Sequence, residues 1–297
     1  HGFHTKHEQG QGSQQFKDTT MMRQASVYGG INYDTNVETL EANSRKYSTK
    51  HNTNKIPYDL IASLRTRGFI DDLAATKEEA EKIHESLEQN KITTKLTMGT
   101  EATESDFKNL SGKDFNLLHV ASHGFYWTER EAKKYDLPFL MLDNKRTRYV
   151  EDKALCRSGL FLAGAKNVFR GDSLPDGVDD GVLTAKEISE MDLRSMDMVV
   201  LSACQTGLGD IISGEGVFGL QRGFKKAGAK TILMSLWKVD DLVTQMLMIE
   251  FYKNYCEGID KRESLRKAQK TVREYKDHNG KPIFNAPYYW AGFIMLD

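Results

Sequence analysis

Continuous apolar runs of strand length alternate along this chain with segments whose apolar positions recur at helical spacing. The apolar runs fall at residues 115–122, 158–165, 196–204, 229–237 and 288–296. The run MDMVVLSAC, at 196–204, is the strongest strand prediction, because continuous apolar character suits a parallel strand that is covered on both faces. Strands that alternate with helices predict an α/β fold, with a mostly parallel central sheet and helices on both of its faces.

Segments with the spacing of helices lie at residues 76–90, 102–110, 183–191, 214–229, 241–256 and 262–275. The first of them, TKEEAEKIHESLEQN, places its apolar residues on one face. Thr76 with Glu79 fits a capping box, which predicts that this helix begins there. Gly228 is predicted to end the helix at 214–229, because glycine commonly follows the last helical residue.

The N-terminal part of the chain is polar and weakly patterned. Residues 1–25 lack periodicity, and we expect them to form a leader or linker. Residues 35–57 are rich in Asn, Thr, Ser and Lys, which indicates a long surface loop. We expect a domain over 26–297, made of an N-terminal part at 26–110 and a C-terminal part at 111–297. Because the chain does not begin with Met, we also expect it to be a fragment of a longer protein.

Composition narrows the classes of partner. Hydrophobic residues make up 39% of the 297 residues, and the net charge of -1 gives no reason to expect nucleic acid or an anionic membrane as a partner. No apolar run is long enough to span a bilayer. Cys156, Cys204 and Cys256 are far apart and form no C-x-x-C, so we expect no metal, no cofactor and a reducing, cytoplasmic setting.

Two predicted strand ends carry candidate chemistry. His123 leaves its strand just before Gly124, and Cys204 leaves its strand just before a small, Gly-rich loop. Ligands of open parallel sheets bind beyond the carboxyl ends of the strands. If the two strands are neighbours, His123 faces Cys204 across one crevice and promotes the reactive thiolate. The backbone N–H groups of Gly124 and Cys204 are then candidate donors to a developing oxyanion.

The segments ASHGF and LSACQTG resemble the two catalytic motifs of CHAT-domain proteases, relatives of caspases and separases. Further segments are similar to that family in the same order: SVYGGINYD, LAATKEEAEKI, ATESDFKNL, SGLFLAGA, DDGVLTAKEI, GEGVFGLQRGFKKAGAKTILMSLWKVDD and YYWAGFIML. The resemblance covers residues 26–297 and implies a caspase-like αβα fold, with the catalytic part at 111–297. It implies peptide hydrolysis, with His123 as general base and Cys204 as nucleophile.

The same resemblance implies a regulated enzyme. Such domains often follow helical repeats and are held inactive until a partner or ligand releases them, so we expect a regulatory domain or partner protein. The family's association with bacterial immunity and programmed cell death makes a dedicated protein or peptide substrate the expected target. Two alternatives stay open: a catalytically silent module that binds a partner and relays a signal, and a thiol transferase that uses the same two residues.

Other reactive side chains have more ordinary interpretations. His119 lies within its strand and is not followed by glycine, so we predict a core histidine. Cys156 and Cys256 are predicted to be structural, since a free cysteine usually behaves as a small hydrophobe.

The acidic residues after the run at 229–237 have two interpretations of equal weight. Asp240 and Asp241 follow Trp237 just before a helix, where Asp caps free N–H groups. Alternatively, one carboxylate lines the pocket for the residue before the cleaved bond, as in the similar separase segment, where Asp241 is the matching position. An acidic pocket would favour Arg or Lys, and a pocket lined by Trp237 would favour leucine or methionine. The acidic run DGVDD at 176–180 has the same ambiguity.

Overall fold

The computed structural model of the chain describes residues 24–47, 73–126, 155–202, 204–205, 215–237 and 239–297. Ten strands lie in these residues: β1 (Gln24–Ile31), β2 (Thr93–Gly99), β3 (Leu117–Val120), β4 (His123–Tyr126), β5 (Ser158–Phe161), β6 (Val182–Thr184), β7 (Met198–Leu201), β8 (Cys204–Gln205), β9 (Thr231–Ser235) and β10 (Phe293–Leu296). The described helices are α1 (Val37–Ser44), α2 (Ala74–Gln89), α3 (Glu104–Lys108), α4 (Ala165–Arg170), α5 (Ala185–Ile188), α6 (Glu215–Ala227), α7 (Asp241–Cys256), α8 (Lys261–Glu274) and α9 (Pro287–Trp290).

A six-stranded sheet forms the centre of the fold, in the order β10-β9-β7-β3-β1-β2. Its neighbouring strands run parallel, except that β10 is antiparallel to β9. The strands are buried on both faces: Val199 and Leu201 belong to one apolar cluster, whereas Met198 and Val200 belong to the other. This alternation produces the mostly parallel αβα sandwich that the sequence predicted.

Different helices cover the two faces of the central sheet. The cluster on one face includes the apolar residues of α2, α7 and α8, and the opposite cluster includes those of α3, α5 and α6. A second sheet, in the order β6-β5-β4-β8, lies on the same side as α6, with Phe125 and Leu160 in that cluster. This smaller sheet carries both predicted catalytic residues.

The N-terminal region differs from the sequence prediction at several points. The segment 35–57 was expected to be a surface loop, but α1 begins after Asn36, whose side chain accepts a hydrogen bond from the N–H of Thr39. Leu40 of α1 is buried against the rest of the fold. Tertiary packing therefore stabilises a helix that the polar composition of the segment does not indicate. Residues 48–57 lie outside the described part of the chain.

The predicted capping box of α2 is wrong. The helix begins at Ala74, after Leu73, and Thr76 lies within its first turn. The Thr76 hydroxyl donates to the carbonyl oxygen of Leu73 at 2.6 Å and accepts a hydrogen bond from the N–H of Gly30 at 3.2 Å. Thr76 therefore ties the helix to β1 rather than capping it.

The C-terminal elements agree closely with the apolar pattern. Helix α7 has the bounds that the sequence indicates, and α6 ends directly before Gly228, whose φ of +104° is the conformation that glycine readily adopts. The helix expected at 183–191 is shorter, since residues 182–184 first form β6. There Thr184 and Glu187 form a capping box, whose T-x-x-E pattern is present in the sequence but was not included in the prediction.

Candidate active site at the junction of β4 and β8

Two neighbouring strands of the central sheet carry the chain to the candidate site. Strands β3 and β7 pair in parallel, with Val120 opposite Leu201. Beyond these residues the N–H of Ser202 donates to the carbonyl oxygen of Val120 at 3.0 Å, so the two strands stay together as they leave the sheet. The predicted neighbour relation of the two strands is therefore confirmed.

His123 and Cys204 come together immediately after this point. Each residue begins a second, short strand, and β4 and β8 pair in parallel with His123 opposite Cys204 and Gly124 opposite Gln205. The register is the one that β3 and β7 already have, so the central sheet determines which residues meet. The two predicted residues thus have directly paired backbones, rather than lying on separate loops.

The His123 side chain is held within the protein. Only 5% of the residue is exposed, and its ring lies 5.2 Å from that of Tyr33, between ring centroids. The backbone N–H of His123 donates to the Tyr33 hydroxyl at 3.1 Å. Tyr33 lies just beyond β1 and is itself buried. Tyr33 was not among the predicted site residues, although it belongs to the segment SVYGGINYD that resembles the family.

Strand β5 supports β4 on the side away from β8. The two strands are antiparallel, with Phe125 opposite Gly159. A Cβ atom on Gly159 would lie 2.5 Å from the Phe125 ring and 2.2 Å from the carbonyl oxygen of Leu183, so only glycine fits there. The Phe125 ring in turn stacks on Phe161 at 4.9 Å. This packing fixes the strand that carries His123.

Gly124, the predicted oxyanion donor, lies between two strands. Its backbone pairs with Leu160 of β5 and with Gln205 of β8. Its role as a donor stays a prediction.

His119 is a core residue, as the sequence predicted. It is completely buried on the face of the sheet that α2 and α7 cover. Its Nδ1 atom lies 3.2 Å from the hydroxyl of Tyr252, and its Nε2 atom lies 3.2 Å from a carboxylate oxygen of Glu79. Burial raises the pKa of the Tyr252 phenol well above its usual range, with the Glu79 charge as a further cause, so this hydroxyl stays protonated.

The two acidic residues at the start of α7 have different environments. Asp240 is the N-cap of α7, where its carboxylate accepts hydrogen bonds from the N–H groups of Leu242 and Val243 at 3.0 and 3.2 Å. Asp241 is the first residue of the helix and is exposed. The capping interpretation therefore applies to Asp240. Because β7 and β9 pair in parallel, this segment emerges at the same edge of the central sheet as the chain that leads to Cys204.

Trp237 lies at that edge, partly buried against the apolar cluster that includes residues of α2, α7 and α8. Its indole N–H donates to the carbonyl oxygen of Tyr288 at 2.9 Å. This contact joins the segment after β9 to α9 and fixes the position of the ring.

One residue of the acidic run at 176–180, Asp179, belongs to a buried ionic cluster. The ammonium of Lys108 lies within 3.0 Å of carboxylate oxygens of Glu104, Asp179 and Glu187, and all four side chains are buried. Burial alone lowers the pKa of Lys108, but these carboxylates outweigh it and raise that pKa well above its usual range. Asp179 is thus structural, and no sequence pattern predicted that Lys108 would be its partner.

The two cysteines that were predicted to be structural, Cys156 and Cys256, are partly buried and free of disulfides. Burial raises the pKa of the Cys256 thiol above its ordinary value, which makes it a poor nucleophile at neutral pH.

Two further features of the described ranges concern metal ions and membranes. Within them, no group of three or more His, Cys, Asp or Glu side chains could hold a metal ion. None of the helices in those ranges is long and apolar enough to cross a membrane.

Comparisons with known proteins found a matching family model and relatives from two mammals. A family model described as the CHAT domain matches residues 11–297. Tetratricopeptide repeat protein 28 of Mus musculus is 34% identical over 116 residues, which are 39% of this chain and 4% of that protein. The protein of the same name from Homo sapiens is 30% identical over 128 residues, which are 42% of this chain and 5% of that protein. The chain therefore matches a small part of these relatives' length.

Proposed function

This chain belongs to the CHAT domain family, and on that premise we propose that it is a cysteine endopeptidase that cleaves a protein substrate with Cys204 and His123. The observation that carries the proposal is the pairing of His123 with Cys204 in the parallel ladder of β4 and β8. Directly paired backbones allow a thiol and an imidazole to act at one site as nucleophile and base. The caspase-like sandwich supports the same chemistry.

In the proposed reaction His123 takes the proton of the Cys204 thiol, and the thiolate attacks the carbonyl carbon of the scissile bond. A C–S bond forms, and the C–N bond breaks as His123 returns the proton to the leaving amine. Water then attacks the thioester, with His123 as its base. The new carboxyl terminus leaves, and the proton from water restores the Cys204 thiol.

Charge that develops on the carbonyl oxygen needs donors in place before the reaction. We assign this role to the backbone N–H groups of Gly124 and Cys204, whose register positions are one residue apart on paired strands. Preorganised donors of this kind are worth on the order of a hundredfold or more in rate.

The recognition of the residue before the scissile bond is assigned to Asp241 and Trp237. Asp240 caps α7, and Asp241, the position that matches the acidic pocket residue of the similar separase segment, is exposed at the same edge. A carboxylate there favours Arg or Lys in the substrate, and Arg can bind it through two parallel hydrogen bonds. Trp237 would contact the aliphatic part of that side chain.

A peptide library tests the proposed activity across many candidate sequences at once. The wild-type chain, Cys204→Ala and the matched control Cys256→Ala are incubated with the library, and fragments are identified by mass spectrometry. We expect Cys204→Ala to lose activity by on the order of a thousandfold or more, and Cys256→Ala to retain it. Cleavage by Cys204→Ala at the wild-type rate would disprove the assignment of the nucleophile.

Regulation by a further domain or partner protein is part of the proposal. The names of the relatives refer to tetratricopeptide repeats, and helical repeats of this kind stack into extended surfaces that bind other proteins. A reducing, cytoplasmic setting suits a catalytic thiol that must stay free.

The alternative function, a catalytically silent module that binds a partner, makes a different prediction for the Cys204 variant. Loss of the Cys204 thiol would leave partner binding by such a module intact. The library experiment with Cys204→Ala therefore separates the two functions.

A further inference from the structure

Tyr33 contacts the candidate catalytic histidine in two independent ways. Its hydroxyl accepts the backbone N–H of His123 at 3.1 Å, and its ring packs against the imidazole at 5.2 Å between centroids. The residue is 1% exposed, and 90 positions in sequence separate it from His123. A buried tyrosine usually places its hydroxyl on a specific partner, and here that partner is the backbone of the proposed general base.

The donors and acceptors around Tyr33 form a series of consecutive hydrogen bonds. Ser122 donates its hydroxyl proton to the carbonyl oxygen of Phe161 on β5, so its oxygen is available to accept a proton. The Tyr33 hydroxyl lies 3.2 Å from that oxygen and can donate to it while accepting from the N–H of His123. Each proton is then used in one hydrogen bond. Together these hydrogen bonds join the segment after β1, the start of β4 and the end of β5.

The backbone on either side of Tyr33 is fixed as well. The N–H of Asn32 donates to the carbonyl oxygen of Gly99 on β2 at 3.1 Å, and the N–H of Lys166 on α4 donates to the carbonyl oxygen of Tyr33 at 2.9 Å. Tyr33 is therefore held by two other elements of the fold. A side chain anchored in this way can impose a position on His123 rather than follow it.

We propose that Tyr33 is a positioning residue that holds the His123 backbone and imidazole in the orientation needed to activate Cys204. This inference rests on the proposed function and adds a residue to that site. The hydroxyl fixes the start of β4 and the ring restricts the rotation of the imidazole. Because Tyr33 is buried and has almost no surface for a substrate to contact, its loss lowers the rate of the chemical step rather than the binding of peptide.

The test compares Tyr33→Phe with Tyr28→Phe. Tyr28 is a matched control, because its hydroxyl is also buried and donates to Asp106 at 2.7 Å, away from His123. Both variants keep the aromatic ring. Tyr33→Phe loses the hydrogen bonds of the hydroxyl with the His123 N–H and with Ser122, and Tyr28→Phe loses the hydrogen bond to Asp106. The two readouts are the kcat and KM for a peptide cleaved in the library and the pH dependence of Cys204 alkylation by iodoacetamide, followed at its own tryptic peptide.

We expect Tyr33→Phe to lower kcat by roughly tenfold to a hundredfold, with KM within about twofold of wild type. The midpoint of Cys204 alkylation should move upward toward the ordinary thiol pKa of about 8.5, because a displaced imidazole stabilises the thiolate less. Tyr28→Phe should leave both quantities, measured per folded molecule, at their wild-type values. If Tyr33→Phe does not fold, Ser122→Ala, which removes the acceptor of the Tyr33 proton, should shift both readouts in the same direction by a smaller factor.

The alkylation readout also separates this inference from the proposed function. His123→Ala should raise the midpoint of Cys204 alkylation if the two residues work together. If it does so while Tyr33→Phe and Ser122→Ala behave like Tyr28→Phe, the positioning role is overturned and the dyad stands. If wild-type Cys204 titrates as an ordinary thiol and His123→Ala changes nothing, the dyad and the positioning role are both overturned.

Discussion

His123 and Cys204 are register partners in a parallel ladder, and their register continues that of Val120 and Leu201 in the central sheet. The register of the smaller sheet is therefore set by the register of the central sheet. A shift of one strand by a single residue would put a different residue opposite His123, and neighbouring strand residues point to opposite faces. The packed interior of β3 and β7 thus protects the geometry of the candidate site.

Alkylation should distinguish Cys204 from the other cysteines. At neutral pH we expect iodoacetamide to modify Cys204 before Cys156 and Cys256, since His123 favours the thiolate and burial raises the pKa of the Cys256 thiol. Mass spectrometry of the three tryptic peptides measures the order. Cys256 should become reactive once urea unfolds the chain, and faster modification of Cys256 in the folded protein would contradict the assignment.

Asp241→Asn should change substrate preference and leave stability nearly unchanged. A neutral amide attracts a cationic side chain less, so cleavage after Arg and Lys should fall while cleavage after Leu and Met does not. Asp240→Ala should instead destabilise the protein by about 1 kcal/mol, because α7 loses its N-cap. Library profiles and thermal unfolding measure the two effects, and an unchanged profile for Asp241→Asn refutes the acidic pocket.

Lys108→Met should destabilise the protein strongly. The substitution leaves Glu104, Asp179 and Glu187 buried without their shared ammonium, and removing one partner of a buried ion pair costs about 3–5 kcal/mol. Lys82→Met is the control, since Lys82 pairs with Glu78 at the surface and should change stability by less than about 0.5 kcal/mol. Urea unfolding compares the variants, and equal losses would show that the cluster contributes little.

The same cluster should make stability depend on pH. Burial, and then repulsion from Glu187, raises the pKa of Glu104 well above its usual range, so the folded protein binds this proton more tightly than the unfolded chain. The resulting stabilisation is complete below the unfolded pKa of about 4.3 and is lost as the pH rises through the folded value.

Glu104→Gln removes this titration. The free energy of unfolding of the variant should therefore rise relative to wild type over the pH range that begins at the unfolded pKa of about 4.3, as measured by urea unfolding. A difference that is constant over this range, or that falls with pH, would show that Glu104 is ionised throughout.

The sequence predicted those parts of the fold that follow from local apolar pattern. Strands β7 and β9 and helices α6, α7 and α8 lie where continuous or periodic apolar residues indicate them. Strand β2 was missed because polar residues interrupt its sequence, TTKLTMG, and only its pairing with β1 makes it a strand. Helix α1 was missed for a related reason, since its buried residues are recognisable only in the folded protein.

The candidate site also has features that the sequence could predict and features that it could not. The meeting of His123 and Cys204 could be predicted because both residues follow strong parallel strands. The contacts of Tyr33 with His123 and of Lys108 with Asp179 could not, because they join residues 90 and 71 positions apart through tertiary packing. Likewise, whether Asp240 or Asp241 caps α7 depends on the residue at which the helix begins.

The most direct measurement of the central claim follows the new carboxyl terminus of a cleaved peptide. In H₂¹⁸O, hydrolysis through Cys204 and His123 predicts fragments whose new carboxylate carries one ¹⁸O atom, formed by wild type and by Cys256→Ala. Neither Cys204→Ala nor His123→Ala should form these fragments at more than a small fraction of that rate. Fragments formed equally by Cys204→Ala, or products of the wild-type chain that carry an acceptor amine instead of ¹⁸O, would contradict the account.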